Sequence, residues 1–236
     1  SLRIPHGDWT GTSYRKPLDP EHPELAGLPV GTGRPQLHLV ADRPDLSIIL
    51  PAFNESARLP LSLPVLLEHL GRRAGKTEVI LVDDGSTDDT VRIAENLLAA
   101  LPDSGVLRLG RHAGKGAAVR AGVARASGRR IAFMDADMAA DLSSLDPLLD
   151  ALNDVHVAIG SRGAPGAVTS GVTPSSDAAH RAFNQLARSA TGLDIVDFQC
   201  GFKAFRGSTA KVLFHFLREP GYAFDVELLA TASRLG

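Results

Sequence analysis

The chain has 236 residues, 44% of them hydrophobic and 22% charged, with a net charge of −2 at pH 7. That is enough apolar material for one large α/β domain, and the total charge gives no electrostatic reason to expect nucleic acid as a partner. A single cysteine, Cys200, excludes an intrachain disulfide and a cysteine-based zinc site, and no run of about 18 apolar residues marks a membrane span.

Residues 1–44 hold seven of the fifteen prolines and no sustained periodicity, which predicts an extended or partly disordered arm without a leader pattern. The folded domain is expected over 45–236. It opens on the apolar run Leu46-Ser47-Ile48-Ile49-Leu50, read as a buried strand ending at Pro51. A helix is predicted over 60–73, with Leu63, Leu66, Leu67 and Leu70 on one face. The second strand is 78–82, closed by Asp83-Asp84-Gly85-Ser86, and Thr87 or Asp88 is placed to cap a helix over 89–101. A strand over 105–109, a helix over 115–126 and a strand over 130–134 follow. Next come a helix over 143–152 and a strand over 155–159. Residues 163–176 are rich in Gly, Pro, Ser and Thr and read as a loop. The chain closes with a helix over 178–191, the segment 197–205, and helices over 208–217 and 225–235. This alternation predicts an α/β fold, a mostly parallel sheet with helices on both faces and a Rossmann-like nucleotide-binding half.

Three polar clusters each lie just past a predicted strand. They are Pro51-Ala52-Phe53-Asn54-Glu55, Asp83-Asp84-Gly85-Ser86 and Asp135-Ala136-Asp137. In a parallel sheet the carboxyl ends of the strands line one crevice, so these clusters are expected to converge. Residues two apart in an extended segment point to the same side. Asp135 and Asp137 can therefore face one hard cation, Mg²⁺ or Mn²⁺. A bare pair of acids is commonly a solvated turn; its place after a buried strand beside two other clusters is what singles this one out. Arg111-His112-Ala113-Gly114-Lys115-Gly116 opens the third helix, where glycines permit close approach and a helix N-terminus favours phosphate. The spacing is not that of a Walker loop. With Asp88 or Thr87 serving the cap, Asp83 and Asp84 are expected to be left for a ligand.

The Pro51–Glu55 run, Val82–Asp88, Gly114-Lys115-Gly116, Asp135-Ala136-Asp137 and Gln199-Cys200-Gly201-Phe202-Lys203 together resemble glycosyltransferase family 2. Within that family they most resemble the polyprenyl-phosphate (dolichyl-phosphate) mannosyl- and glucosyltransferases, over about 46–235. The resemblance implies a GT-A fold and inversion at the anomeric carbon. It implies a GDP- or UDP-sugar donor and a polyprenyl phosphate acceptor, met by peripheral contact at the cytoplasmic face of a membrane. It also implies a domain truncated at its C-terminus relative to the family.

Carried over by position, Pro51, Ala52, Glu55 and Asp83 would hold the nucleoside, with Asp84 and Lys115 beside them. Asp135, Ala136 and Asp137 would meet metal and diphosphate, and Arg162 and Arg181 the acceptor phosphate. Asp197 is a candidate to orient that phosphate or to act as base toward an alcohol. Two positions depart from the family's pattern: Ala139 stands where some members have a metal-binding Gln, and His112 where Asn is frequent. Two readings stay beside this one. One is a family 2 enzyme acting on a hydroxyl acceptor, and the other an inactive protein that binds nucleotide-sugars. A nucleotidyltransferase is disfavoured, since Pro51–Glu55 fills the place of the Gly-rich basic loop such enzymes carry.

Overall fold

A computed structural model describes residues 43–137, 142–160 and 174–235. Most of the expected arm, Ala139, Arg162 and the expected loop up to 173 lie outside the described residues. The elements are β1 (Leu46–Ala52), α1 (Leu59–Gly71), β2 (Thr77–Asp83), α2 (Thr90–Leu98), β3 (Gly105–Arg108), α3 (Lys115–Arg125), β4 (Arg130–Phe133), a 3-10 turn (Leu142–Ser144), α4 (Leu145–Ala151), β5 (Val157–Ile159), α5 (Pro174–Thr191), β6 (Lys203–Arg206), α6 (Gly207–Phe216) and α7 (Phe224–Leu235).

The strands form one sheet in the order β3-β2-β1-β4-β6-β5. β3, β2, β1 and β4 run parallel, in register from Leu46 opposite Thr77 on one side and Arg130 on the other. β6 is antiparallel to both β4 and β5. The mostly parallel sheet expected from the sequence is therefore present, with one reversed strand. Of the segment 197–205, the strand takes in only the part from Lys203 onward, and residues 197–202 form a turn leading into it. α5 starts at Pro174, inside the expected loop.

Side-chain alternation sorts the core into two layers. Leu46, Ile48, Leu50, Val79 and Leu81 pack under α1, α2 and α4. Ile49, Ile80, Val82, Ile131 and Phe133 face α3, α6 and α7 on the other side. In α1 the buried stripe is Leu59, Leu63, Leu66 and Leu70. A proline stands in the first turn, where a missing N–H is not needed, and Pro64 follows one turn later.

At the sheet edge where β1 and β2 begin, Glu78 is buried. Its Oε1 accepts hydrogen bonds from the Ser47 hydroxyl at 2.5 Å, the Ser127 amide at 2.6 Å and the Ser127 hydroxyl at 2.9 Å. Ser47 Oγ in turn accepts from the Gly128 amide at 2.8 Å. A buried carboxylate supplied with several donors ties β1, β2 and the α3–β4 turn together at the far end from the strand-end clusters.

Candidate active site

Each strand-end cluster is fixed by hydrogen bonds to the next. The Asp84 amide donates to Ala52 O at 2.8 Å, extending the β1–β2 ladder by one bond. Asn54 adopts φ +55, a left-handed conformation that Asn tolerates. Its amide donates to Ser86 Oγ at 2.9 Å, and its side-chain Oδ1 accepts from the Thr87 amide at 2.9 Å. The Glu55 amide donates to Thr90 Oγ1 at 2.7 Å and the Ser56 amide to Asp88 Oδ2 at 3.1 Å. Asp88 also accepts from the Thr90 amide and hydroxyl. The slight burial of Asp88 works against it, but the hydrogen bonds from Ser56 and Thr90 hold its carboxyl down at about 2.

Asp84, which the capping argument reserves for a ligand, is already engaged by backbone amides. It is almost wholly buried, and it accepts from the Ala113 amide at 2.7 Å and the Gly114 amide at 2.9 Å, one on each oxygen. His112 Nδ1 adds a contact at 2.8 Å. Asp84 therefore positions the loop that leads into α3. Asp83 is also buried, and its Oδ1 accepts from the Ser86 amide at 3.1 Å. Gly114 has φ +100 and closes against the Pro220 carbonyl, which accepts from the Ala117 amide at 3.0 Å. A side chain at 114 would be strained and would strike that carbonyl. The 218–223 turn is thereby pinned to the start of α3.

The edge so built encloses a cleft of about 580 Å³. Of the residues expected at the site, Pro51, Ala52, Glu55, Asp84, Lys115, Asp135, Ala136 and Asp137 line it. Asp83, which is buried, is not among its lining residues. Phe53, Arg58, His112 and Tyr222 line it as well, though the sequence reading assigned none of them a role. The Phe53 and His112 rings lie 4.2 Å apart at 31°, with His112 60% exposed. Arg58 donates to both oxygens of Glu55 at 2.9 Å. Their spacing of three residues is the signal that could have found the pair. Lys115 Nζ stands 2.5 Å from Asp135 Oδ1. A larger hollow of about 720 Å³ between α3 and α6 has no carboxylate in its lining, so size alone does not mark the site.

Asp135 and Asp137 suit a hard cation in ligand type and position. Asp135 is 39% exposed, and both residues line the same cleft. Among the described residues no third His, Cys, Asp or Glu completes a metal cluster with them. A divalent ion here would take its remaining ligands from diphosphate oxygens and water, a common arrangement for Mg²⁺.

Of the acceptor-side candidates, Asp197 and Arg181 are not part of this lining. Asp197 is buried in the turn before β6, and its Oδ1 lies 3.1 Å from His180 Nε2 on α5. Arg181 is exposed on α5. The same turn reaches the cleft through Gly201, whose Cα abuts the Asp135 carboxylate; an added methyl group would overlap it. Lys203 secures the turn from below, 0% exposed, donating to Phe198 O at 3.0 Å, Cys200 O at 2.6 Å and Asp225 Oδ1 at 2.6 Å. Burial pushes the Asp225 carboxyl above the usual carboxylate range, and the Lys203 ammonium counters this only in part.

The model of glycosyl transferase family 2 matches residues 47–214. The dolichyl-phosphate beta-glucosyltransferase of Drosophila melanogaster is 39% identical over 210 residues, covering 81% of this chain and 63% of that protein. That of Dictyostelium discoideum is 32% identical over 211 residues, covering 80% and 62%. The chain thus spans somewhat under two thirds of the length of these relatives. The glucosyl-3-phosphoglycerate synthase of Mycobacterium tuberculosis, solved with Mn²⁺, UDP and glucosyl-3-phosphoglycerate, superposes with a TM-score of 0.57 at 25% identity. The match covers 83% of this chain and 67% of that one. Strand-end clusters, sheet topology and sequence agree: this chain belongs to glycosyl transferase family 2 and has the GT-A fold.

Proposed function

We propose that the domain transfers a hexose from a nucleoside diphosphate sugar to a polyprenyl (dolichyl-type) phosphate, with inversion at the anomeric carbon. Of the GDP- and UDP-sugars, UDP-glucose has the better support. The relatives are named as glucosyltransferases, and the structural neighbour was solved with UDP. The observation that carries the reading is the gathering of Asp135, Asp137 and Lys115 in one cleft with Pro51, Ala52 and Glu55.

In this reading Pro51, Ala52, Glu55 and Asp83 hold the nucleoside, and Asp84 fixes the loop beside it. Asp135 and Asp137 would hold Mg²⁺ or Mn²⁺, which when bound supplies countercharge to the departing diphosphate. Lys115, at the N-terminus of α3, adds a second positive charge where the helix already favours an anion. The acceptor is a phosphate monoester with a second pKa near ~6, ionised at neutral pH. Its oxygen attacks the anomeric carbon without needing a strong base. Arg162 and Arg181 are the groups proposed to hold it in line, and Asp197 the one to orient it.

Among the described residues no helix is long and apolar enough to cross a membrane. In this reading the lipid tail of the acceptor makes peripheral contact with this domain, at the cytoplasmic face. A hydroxyl acceptor is the second reading. Asp197 beside His180 would serve it as a base, and the structural neighbour was solved with glucosyl-3-phosphoglycerate.

The test is thermal shift followed by transfer. With Mn²⁺ present, UDP-glucose at a hundredfold excess over its Kd stabilises the protein by about 2.7 kcal/mol, and GDP-mannose by less. Glucose then passes to a short polyprenyl phosphate and not to the corresponding alcohol or to phosphoglycerate. Transfer to an alcohol alone would replace the first reading with the second. Neither stabilisation nor transfer with either metal would leave a binding protein without activity.

A further inference from the structure

Lys115 is the first residue of α3, and its side chain is only 16% exposed, so the protein sets its position. Its ammonium stands 2.5 Å from Asp135 Oδ1. The other oxygen, Oδ2, is the one nearest Gly201, where no side chain fits. Backbone on one side and an ammonium on the other therefore hold this carboxylate, and Oδ1 is the oxygen turned to the cations of the cleft. A second neighbour of the ammonium is the Tyr222 ring, 6.0 Å away at the mouth of the cleft. That is the outer range of a cation–π contact. Tyr222 is 74% exposed, and its turn is pinned to the start of α3 through Pro220.

A divalent ion between Asp135 and Asp137 would claim the oxygen that Lys115 now contacts. Two cations drawn to one carboxylate oxygen at such distances repel each other, and inside a cleft that repulsion is poorly screened, so a further anion between them favours holding both. A diphosphate is such an anion. It brings several negative charges and can accept from the ammonium while offering oxygens to the ion.

We infer that Lys115 and the divalent ion compete for Asp135 Oδ1. The donor's diphosphate ends the competition by drawing the ammonium onto itself, so the ion is held tightly only together with the nucleotide. Lys115 is then a positioning residue that couples metal capture to donor binding. The inference rests on the metal role proposed above for Asp135 and Asp137.

Mn²⁺ binding, followed by electron paramagnetic resonance or calorimetry, tests it without reference to turnover. In the wild-type chain UDP should tighten Mn²⁺ binding at least tenfold. Lys115→Met should bind Mn²⁺ alone at least tenfold tighter than wild type and gain much less from UDP. Lys115→Arg, which keeps the charge, should resemble wild type. Thermal denaturation of each variant checks that it is folded. Mn²⁺ binding by Lys115→Met that is no tighter than wild type overturns the competition. In that case, UDP-dependent Mn²⁺ binding that Asp137→Asn abolishes would leave the functional reading standing. Absence of Mn²⁺ binding in every form, with UDP present, would remove both.

Discussion

The two sides of the sheet hold their polar residues by different means. On the donor side, β1, β2 and β3 end in loops whose carboxylates and hydroxyls accept from backbone amides: Asp84 from Ala113 and Gly114, Asp88 from Ser56 and Thr90, Ser86 from Asn54. Around the reversed strand β6, on the side proposed for the acceptor, contacts between side chains do the fixing. Lys203 reaches Asp225, and His180 reaches Asp197. A network of amides keeps its geometry when one bond is lost. A buried ion pair does not, because losing one partner strands the other's charge in a medium that cannot solvate it. The donor edge is thus a redundant template, whereas the turn that carries Gly201 to Asp135 leans on the Lys203 ammonium, with the Phe198 amide donating to Asn184 Oδ1 at 2.9 Å as its other buried tie.

The sharpest way to test this contrast is Lys203→Met. It should destabilise the protein by about 3–5 kcal/mol at pH 7, the cost of a buried charge left without its partner, as read from urea midpoints. The direction with pH is fixed. Asp225 has a folded pKa raised above its unfolded value, and removing Lys203 raises it further. The variant should therefore regain stability as pH falls from 7 toward 5 and the carboxyl protonates, and lose it again as pH rises. Stability that is flat with pH would show that the pair is not what holds this side.

Next comes Asp137→Asn, an exposed residue of the cleft. Transfer should fall by about 10²–10³-fold, in the range seen when one preorganised electrostatic partner is removed, with the melting temperature unchanged. Retained turnover would refute the metal role. Gly201→Ala should then show that the two sides meet at Asp135. The added methyl group displaces the carboxylate, and a misplacement of that kind costs roughly tenfold to a hundredfold in kcat/KM. Circular dichroism and denaturation check that the fold is kept.

The donor side should yield less. Asp84→Asn keeps one acceptor oxygen for two amides, so about 1–2 kcal/mol of stability is lost and the donor KM rises. Asp88→Ala should cost only about 0.5–1 kcal/mol, since the group is exposed and two of its bonds form a local turn at the start of α2, with only the Ser56 amide reached from another loop. Donor-side losses as large as that of Lys203→Met would erase the comparison.

The donor side is also the part the sequence displays. Local rules govern it: an apolar run, a polar turn and a helix start repeat in order, and Pro51, Ala52, Glu55, Asp135 and Asp137 fall at strand ends because parallel strands all finish at one edge. Pairings between distant residues are not displayed. Nothing near Lys203 announces that it will be buried against Asp225, since a lysine in a short segment reads as solvent-exposed. The reversal of β6 is hidden for the same reason: strand direction follows from how the chain returns to the sheet, not from the composition of four residues. Asp84 was legible as a polar strand-end residue, but its task was not, because its partners are the amides of a loop some thirty residues onward. Nothing in the sequence singles out Tyr222 or Arg58, because an aromatic residue in a turn and an arginine at a helix start each have an ordinary surface role.

The Glu78 knot joins β1, β2 and the α3–β4 turn at the end of the sheet most distant from the chemistry. Selection can therefore alter thermal tolerance there, by adding or trimming hydrogen-bond donors around one carboxylate, without disturbing the reaction.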